Sequence, residues 1–446
     1  MHKNIFRTTW LLFTLVLLLT GCGGKQAVQT IFQKRTPYEA YAHNLREANL
    51  HKTALGQAWI SAGQKALQDS ILIKLPYQET GYFKADKPSA SSYTFMAREG
   101  EMIEVKVTTR TNQDIRLFLD LFEVGSLQPR ETRHVAAADT TNLHMEYKAD
   151  NNLPYLVRLQ PELLQSGSYT ITIITKPSLA FPVQGKNSSA IQSFWGADRD
   201  NGSRLHEGVD IFAPKGTPAI AAARGIITRV DETPRGGKVV WLTDTENRQS
   251  IYYAHLDKQL VQPGQKVNIG DTLGLVGNTG NARSTPAHLH FGIYTFGRGA
   301  IDPYPFIYDA NQKPEKVKVN EKYFGEWGRT AKNNTFIRRS PEAKAETVSK
   351  LPKNAAVLVL AGTQNWYKVQ LPNGAIGFLH KDNFAALTKP IETQSLKADT
   401  ELTESPNLTA SPVAALKKDT KVSVLGFFEA FQLVRLADGT LGWLKS

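Results

Sequence analysis

Four of the ten histidines in this chain, His206, His255, His288 and His290, fall in one glycine-rich stretch between about Ser188 and Pro305. Catalysis by bound zinc needs three fixed protein ligands, drawn from histidine, carboxylate or thiolate, and one open position for water. Thiolate is excluded, because Cys22 is the single cysteine and lies far away at the start of the chain. Two segments remain as natural sources: His206-Glu207-Gly208-Val209-Asp210 and Ala287-His288-Leu289-His290-Phe291-Gly292-Ile293. The second reads as a strand, so two histidines two residues apart present both rings on one face. In the first, a spacing of four also suits a helix, but Gly208 and the run Val209-Asp210-Ile211-Phe212 favour a loop entering a strand, which would place Asp210 on a rigid sheet position.

Alone, a histidine four residues before an aspartate is most often a structural or surface feature. Its company changes the reading. His206-x-x-x-Asp210, Tyr253-Ala254-His255-Leu256, Gly277-x-Thr279-Gly280 and His288-x-His290 follow one another within about ninety residues, flanked by Ala213-Pro214-x-Gly216-Thr217-Pro218 and Pro263-Gly264-x-x-Val267-x-x-Gly270-Asp271. This set resembles the LytM/lysostaphin family of zinc metallopeptidases over roughly Phe194 to Pro303. The resemblance implies one zinc ion per catalytic domain, held by His206, Asp210 and His290, with His255 and His288 as catalytic residues flanking the water. It implies hydrolysis of stem peptides or peptide crosslinks of bacterial peptidoglycan. Relatives of this kind also include inactive wall-binding scaffolds that activate other hydrolases, the alternative reading; those usually lose ligands, whereas all five positions are filled here. Two departures stand out: Asn281 to Ala287 is longer than the usual turn and would reshape one groove wall, and Trp195 precedes Gly196 where the family has a smaller residue.

The rest of the chain must position and deliver this site. At 446 residues it is too long for one hydrophobic core. The expected fold is mostly β and multidomain. Helical spacing at Tyr41, Leu45, Leu50 and Leu55 follows Thr36-Pro37, a capping residue with proline at the first helical position. Period-two runs such as Ile103 to Val107, Leu117 to Phe122 and Tyr169 to Ile173 predict a β-sandwich resembling jelly-roll accessory domains. Beyond Lys313 an internal repeat reads without gaps. Ser340-Pro341 recurs at Ser405-Pro406, Trp366 at Phe431, Asn373-Gly374 at Asp438-Gly439 and Gly377-Phe378-Leu379 at Gly442-Trp443-Leu444, each pair 65 residues apart. The first copy resembles the bacterial SH3-like module, whose members often bind wall peptides; in the second, Gln432 replaces the tyrosine of the Trp-Tyr pair. Expected boundaries are 1–21 for a lipoprotein signal peptide, 22–78 for a tether and helical segment and 79–177 for the sandwich. They continue with 185–312 for an antiparallel β-sheet metallopeptidase domain, then 325–389 and 392–446 for two small SH3-like β-barrels.

Lys3 and Arg7 precede an apolar run from Trp10 to Leu19 that is too short to span a bilayer, as in a secretory signal. It ends in Leu19-Thr20-Gly21-Cys22, which resembles the lipobox of bacterial lipoproteins and implies lipidation of Cys22. The expected location is therefore the cell envelope, membrane-anchored and facing the periplasm. A formal charge of +12 suits anionic surroundings, either lipid headgroups or wall carboxylates. Nucleic acid is not expected, since the basic residues are scattered and form no stripe with interleaved aromatics. Expected partners are peptidoglycan and the membrane.

Overall fold

A computed structural model describes residues 34–109, 115–125, 131–199, 202–310 and 313–446. The expected signal peptide and Cys22 lie outside the described residues. Among the described residues the protein is mostly β, with two helices, Pro37–Glu47 and Ala54–Gln68, ahead of the first strands. Helix α1 (Pro37–Glu47) opens with a capping box: the Thr36 side chain accepts from the Glu39 amide, and the Glu39 carboxylate accepts from the Thr36 amide. Helix α2 (Ala54–Gln68) runs unbroken through Ser61-Ala62-Gly63, where the sequence pattern weakens. Burial of Trp59 and Ala66 along its inner face overrides that local weakness. The Trp59 indole stacks on Tyr38 and donates to the Pro161 carbonyl at 2.7 Å, seating both helices on the sandwich.

The sandwich forms as its alternation predicts. One sheet contributes Tyr93, Phe95, Leu117, Leu119, Leu121 and Val157 to the core, and the other Ile103, Val105, Tyr169, Ile171 and Ile173. Strand β1 (Tyr77–Phe83) lies in the second of these sheets.

The site-bearing region is built on an antiparallel sheet that includes β2 (Ile191–Ser193), β3 (Val209–Phe212), β4 (Gly225–Thr233), β5 (Gly237–Asp244), β6 (Gln249–Leu256) and β7 (His288–Thr295). Their spatial order is β2-β3-β7-β6-β5-β4. One face is apolar and fully packed, with Val209, Ile211, Val240, Leu242, Ile251, Tyr253, Leu289, Phe291 and Ile293 in a single cluster. Period two then dictates that Asp210, His290, Tyr252 and Trp241 emerge on the opposite face.

After this region the repeat is written in strands. The five strands Thr335–Arg338, Thr347–Leu351, β8 (Ala356–Thr363), β9 (Trp366–Gln370) and Ile376–His380 recur 65 residues later as Thr400–Thr403, Pro412–Leu416, Lys421–Phe428, Phe431–Arg435 and Leu441–Lys445. The two copies are not equivalent in their surroundings. β8 pairs with β1, with Thr80 opposite Gly362 and Gly81 opposite Ala361, so sandwich and first copy share one eleven-stranded sheet. Sequence alternation alone gives no hint of this union.

A buried ion pair marks the seam. Glu79 on β1 is fully buried, and Lys368 on β9 is 3% exposed, with Nζ 3.3 Å from Glu79 Oε1. The hydroxyls of Tyr77, Tyr93 and Tyr169 donate to the same carboxylate at 2.8, 2.6 and 3.0 Å. Burial pushes all three phenols well above their ordinary range, so they remain donors. In the second copy the equivalent position is Leu433, buried in an apolar cluster with Leu425 and Trp443. Lys368→Met should leave the Glu79 charge buried without its cation and lower stability by about 3 kcal/mol or more. The double variant Glu79→Gln/Lys368→Met should recover most of the loss. Urea unfolding followed by tryptophan fluorescence measures both, and an unshifted midpoint in the single variant would contradict the account.

Candidate metal centre

Register puts the donors together. Across the β3–β7 pair, Asp210 lies directly opposite His290 and Phe212 opposite His288. His206 reaches the same point from the loop before β3. Gly208 makes that approach possible, because a Cβ there would sit 2.6 Å from the Phe291 carbonyl oxygen and 2.7 Å from His290 Cε1. Asp210 Oδ1 lies 3.0 Å from both His206 Nε2 and His290 Nδ1, and those two nitrogens are 2.9 Å apart. Ligand atoms on a tetrahedral zinc ion at about 2.0 to 2.1 Å are about 3.3 Å apart, so a triangle of this size suits such an ion after a small expansion. His206, Asp210 and His290 thus form a group that could hold a metal.

Ring orientation is set from outside. His206 Nδ1 faces the Phe194 carbonyl at 2.9 Å, His255 Nδ1 the Thr279 carbonyl at 3.0 Å and His288 Nδ1 the Pro286 carbonyl at 2.9 Å. A carbonyl only accepts, so each Nδ1 donates there, and in the neutral ring the lone pair is on Nε2. Asp210 is 8% exposed; burial pushes its carboxyl up, but its contacts with His206 and His290 outweigh that and hold it well below the usual carboxylate range. Burial, with the neighbouring His290 and His288, pushes His255 down to about 4, and burial likewise lowers His290. The His255 ring is therefore neutral at neutral pH.

His255 reaches the site by an irregular route. Ala254 pairs with His290, so strict alternation would turn His255 toward the packed face. Instead the register slips between Lys238 and Val240, and His255 takes φ +61°, a left-handed conformation that costs a non-glycine residue about 1 to 3 kcal/mol. Thr279 secures the slip: its Oγ1 donates to the Leu256 carbonyl at 2.9 Å and accepts from the Lys238 amide at 3.0 Å, while its own carbonyl holds the His255 ring. Gly277-x-Thr279-Gly280 is therefore the brace that brings His255 to 5.0 Å from His288 and 5.9 Å from His290, centroid to centroid.

Sequence reasoning missed Arg199 and Ser193. Arg199 Nη2 donates to Asp210 Oδ2 at 2.9 Å and to Ser193 Oγ at 2.5 Å, and that hydroxyl is 3.4 Å from His206 Nδ1. One guanidinium thereby occupies the outer oxygen of Asp210 and leaves Oδ1 to the histidines. No motif in the sequence singles it out. Above these residues lies a groove of about 580 Å³ whose described lining runs from Ser193 to Tyr294, with none from the sandwich. The long turn after Gly280 does shape one wall, through Asn281, Ala282 and Thr285. Of the histidines left aside in the sandwich, His134 meets Asp120 and His144 meets Glu104, where the Lys176 ammonium lies 2.9 Å from the same Glu104 carboxylate.

With this geometry in view, comparison with known proteins is informative. Residues 204–303 match the model of peptidase family M23, and residues 333–385 match the bacterial SH3 domain. The chain is 34% identical over 139 residues to an L-Ala--D-Glu endopeptidase of Bacillus subtilis, covering 29% of this chain and 42% of that one. It is 39% identical over 93 residues to the peptidoglycan DD-endopeptidase ShyA of Vibrio cholerae, covering 21% of each. It is also 34% identical over 136 residues to the uncharacterized lipoprotein YgeR of Escherichia coli, covering 30% of this chain and 49% of that one. The chain thus spans less than half the length of each of these relatives. The groove, its histidines and the first copy of the repeat accordingly lie in a peptidase M23 domain joined to a bacterial SH3 domain.

Proposed function

We propose that this chain is a zinc-dependent endopeptidase that hydrolyses peptide bonds in peptidoglycan. The observation that carries the reading is the convergence of His206, Asp210 and His290 on one point at the floor of an open groove, with His255 and His288 beside it. Endopeptidase relatives matched over the same segment support the reaction class, and the name of one of them supports the substrate.

In this reading His206, Asp210 and His290 would hold the ion. When bound, zinc supplies a Lewis acid for the scissile carbonyl and acidifies a water. The side chains of this chain do the rest. Asp210 stays ionised through its two histidine contacts and the Arg199 guanidinium, giving the site one negative charge to retain a dication. His255 and His288, each held at Nδ1 by a backbone carbonyl, line the groove, where they take a proton from the attacking water and return one to the leaving amine. The bacterial SH3 domain raises the local concentration of wall substrate by tethering, and lipid on Cys22 keeps the protein at the envelope membrane, facing the periplasm.

His290→Ala should remove bound zinc, measured by atomic absorption, and reduce release of soluble muropeptides from purified walls to background. Unchanged hydrolysis in that variant would end the zinc reading. His255→Ala should retain the metal while lowering kcat by about 10² to 10⁴. Arg199→Met should keep the fold but yield its zinc to a colorimetric chelator about 10 to 100 times more readily, because the outer oxygen of Asp210 loses its anchor. Cys22→Ala should move the protein from the washed membrane fraction to the soluble one, and persistence with the membrane would argue against lipid attachment.

A further inference from the structure

The open sheet face does not stop at the candidate ligands. It continues into three rings, Trp241 on β5, Tyr252 on β6 and Tyr294 on β7, all half-buried in the groove. Trp241 pairs in register with Tyr252, and their ring centroids are 4.5 Å apart; Tyr294 lies 5.1 Å from Trp241 and 6.3 Å from Tyr252. Tyr252 in turn meets His290 edge-on at 5.9 Å, so the platform adjoins the candidate metal centre. Gly292, opposite Tyr252, keeps it open: a Cβ there would come within 3.2 Å of the Glu207 carbonyl oxygen and 3.3 Å of the Tyr294 ring.

At the edge of the platform stands Glu207, with Tyr294 Oη donating to its carboxylate at 3.4 Å. Burial, and then the Glu207 charge, push that phenol up to about 12, so it remains a donor. Among the described lining residues Glu207 and Asp210 are the two acids, and Asp210 is already engaged by His206, His290 and Arg199. The three guanidiniums in the wall lie elsewhere in the framework: Arg199 on Asp210, Arg204 paired with it in register on the same short hairpin, and Arg235 in the tight turn beside Gly236, whose carbonyl accepts from the His255 amide. The groove therefore has an aromatic end edged by the Glu207 carboxylate and a histidine end where Arg199 meets Asp210.

We propose that Trp241, Tyr252, Tyr294 and Glu207 form a subsite for a peptide residue bearing an unacylated primary amine on an aliphatic chain. The methylenes lie across the rings, and the ammonium meets the ring faces and the Glu207 carboxylate. This rests on reading the groove as a peptidase site and names the residue it selects. A carboxylate beside π-faces attracts a cation by charge, so acetylation of the amine removes both attractions at once.

The test uses the full zinc-loaded chain and two crosslinked muropeptides that differ in one acetyl group on that amine. The free amine should be cleaved with a kcat/KM about tenfold higher, the difference lying in KM, and Glu207→Gln should erase the preference. Calorimetric binding of an uncrosslinked stem peptide, free or acetylated, follows the subsite without turnover. Amine-dependent binding without cleavage of either substrate would sink the peptidase reading and leave the subsite standing. Equal cleavage and equal binding of the two forms, or a preference that survives Glu207→Gln, would overturn the subsite. Binding of peptide-free glycan that is lost in Trp241→Ala would overturn it too, by giving the rings to sugar faces.

Discussion

Everything chemical in this molecule depends on one register: Asp210 opposite His290 across two neighbouring antiparallel strands. A shift of one residue would turn either side chain into the apolar layer, and the donor triangle would vanish. The register is held because the alternating partners are all apolar. Val209 and Ile211 on β3, and Leu289, Phe291 and Ile293 on β7, are each 0% exposed in the same cluster. The hydrophobic effect thus positions the polar face by filling the other. Two of the three candidate ligands, Asp210 and His290, sit on strands, which are stiffer than loops, and the two strands lie inside the sheet, flanked by β2 and β6.

Against this regular background His255 is an exception with a purpose. Its strand supplies Tyr253 to the core and Ala254 to the site face, leaving the next position on the wrong side. A one-residue slip and a left-handed backbone angle correct the fault, at a local cost that the Thr279 hydrogen bonds offset. The strain therefore lies beside the candidate ligands rather than on them. None of His206, Asp210 and His290 has a positive φ, whereas His255 does, so the fold bends to present the neighbouring ring and not the candidate ligands.

How much of this was legible beforehand follows from the range of each interaction. The His-x-His pair on one strand face, the loop that enters a strand before Asp210, the sandwich alternation and the 65-residue repeat are all local or periodic signals, and each is visible in the structure. The contribution of Arg199 was not legible, because a lone arginine has no spacing to declare itself and its contact depends on a short hairpin folding over Asp210. The slip at His255 was equally silent, since nothing in Tyr-Tyr-Ala-His-Leu announces a positive φ. The shared sheet between sandwich and first SH3 copy depends on pairing across about 280 residues, beyond any periodicity in one segment.

That shared sheet bears on how the parts act together. A flexible linker would let the SH3 copy sample many directions, and its benefit to a neighbouring groove would be an average over them. A continuous sheet sealed by a buried carboxylate, three phenols and an ammonium allows one arrangement. The sandwich also grips the site-bearing region, through Glu99, whose two carboxylate oxygens accept from Arg298 at 2.7 and 2.8 Å, and through Lys148, which reaches Asn247. Sandwich, SH3 copy and groove are then fixed relative to one another by paired strands and ion pairs. On the proposed function, substrate held by the SH3 copy would arrive at the groove from a defined direction, so the geometry of the seam, more than the affinity of the SH3 copy, would set which peptides reach His290.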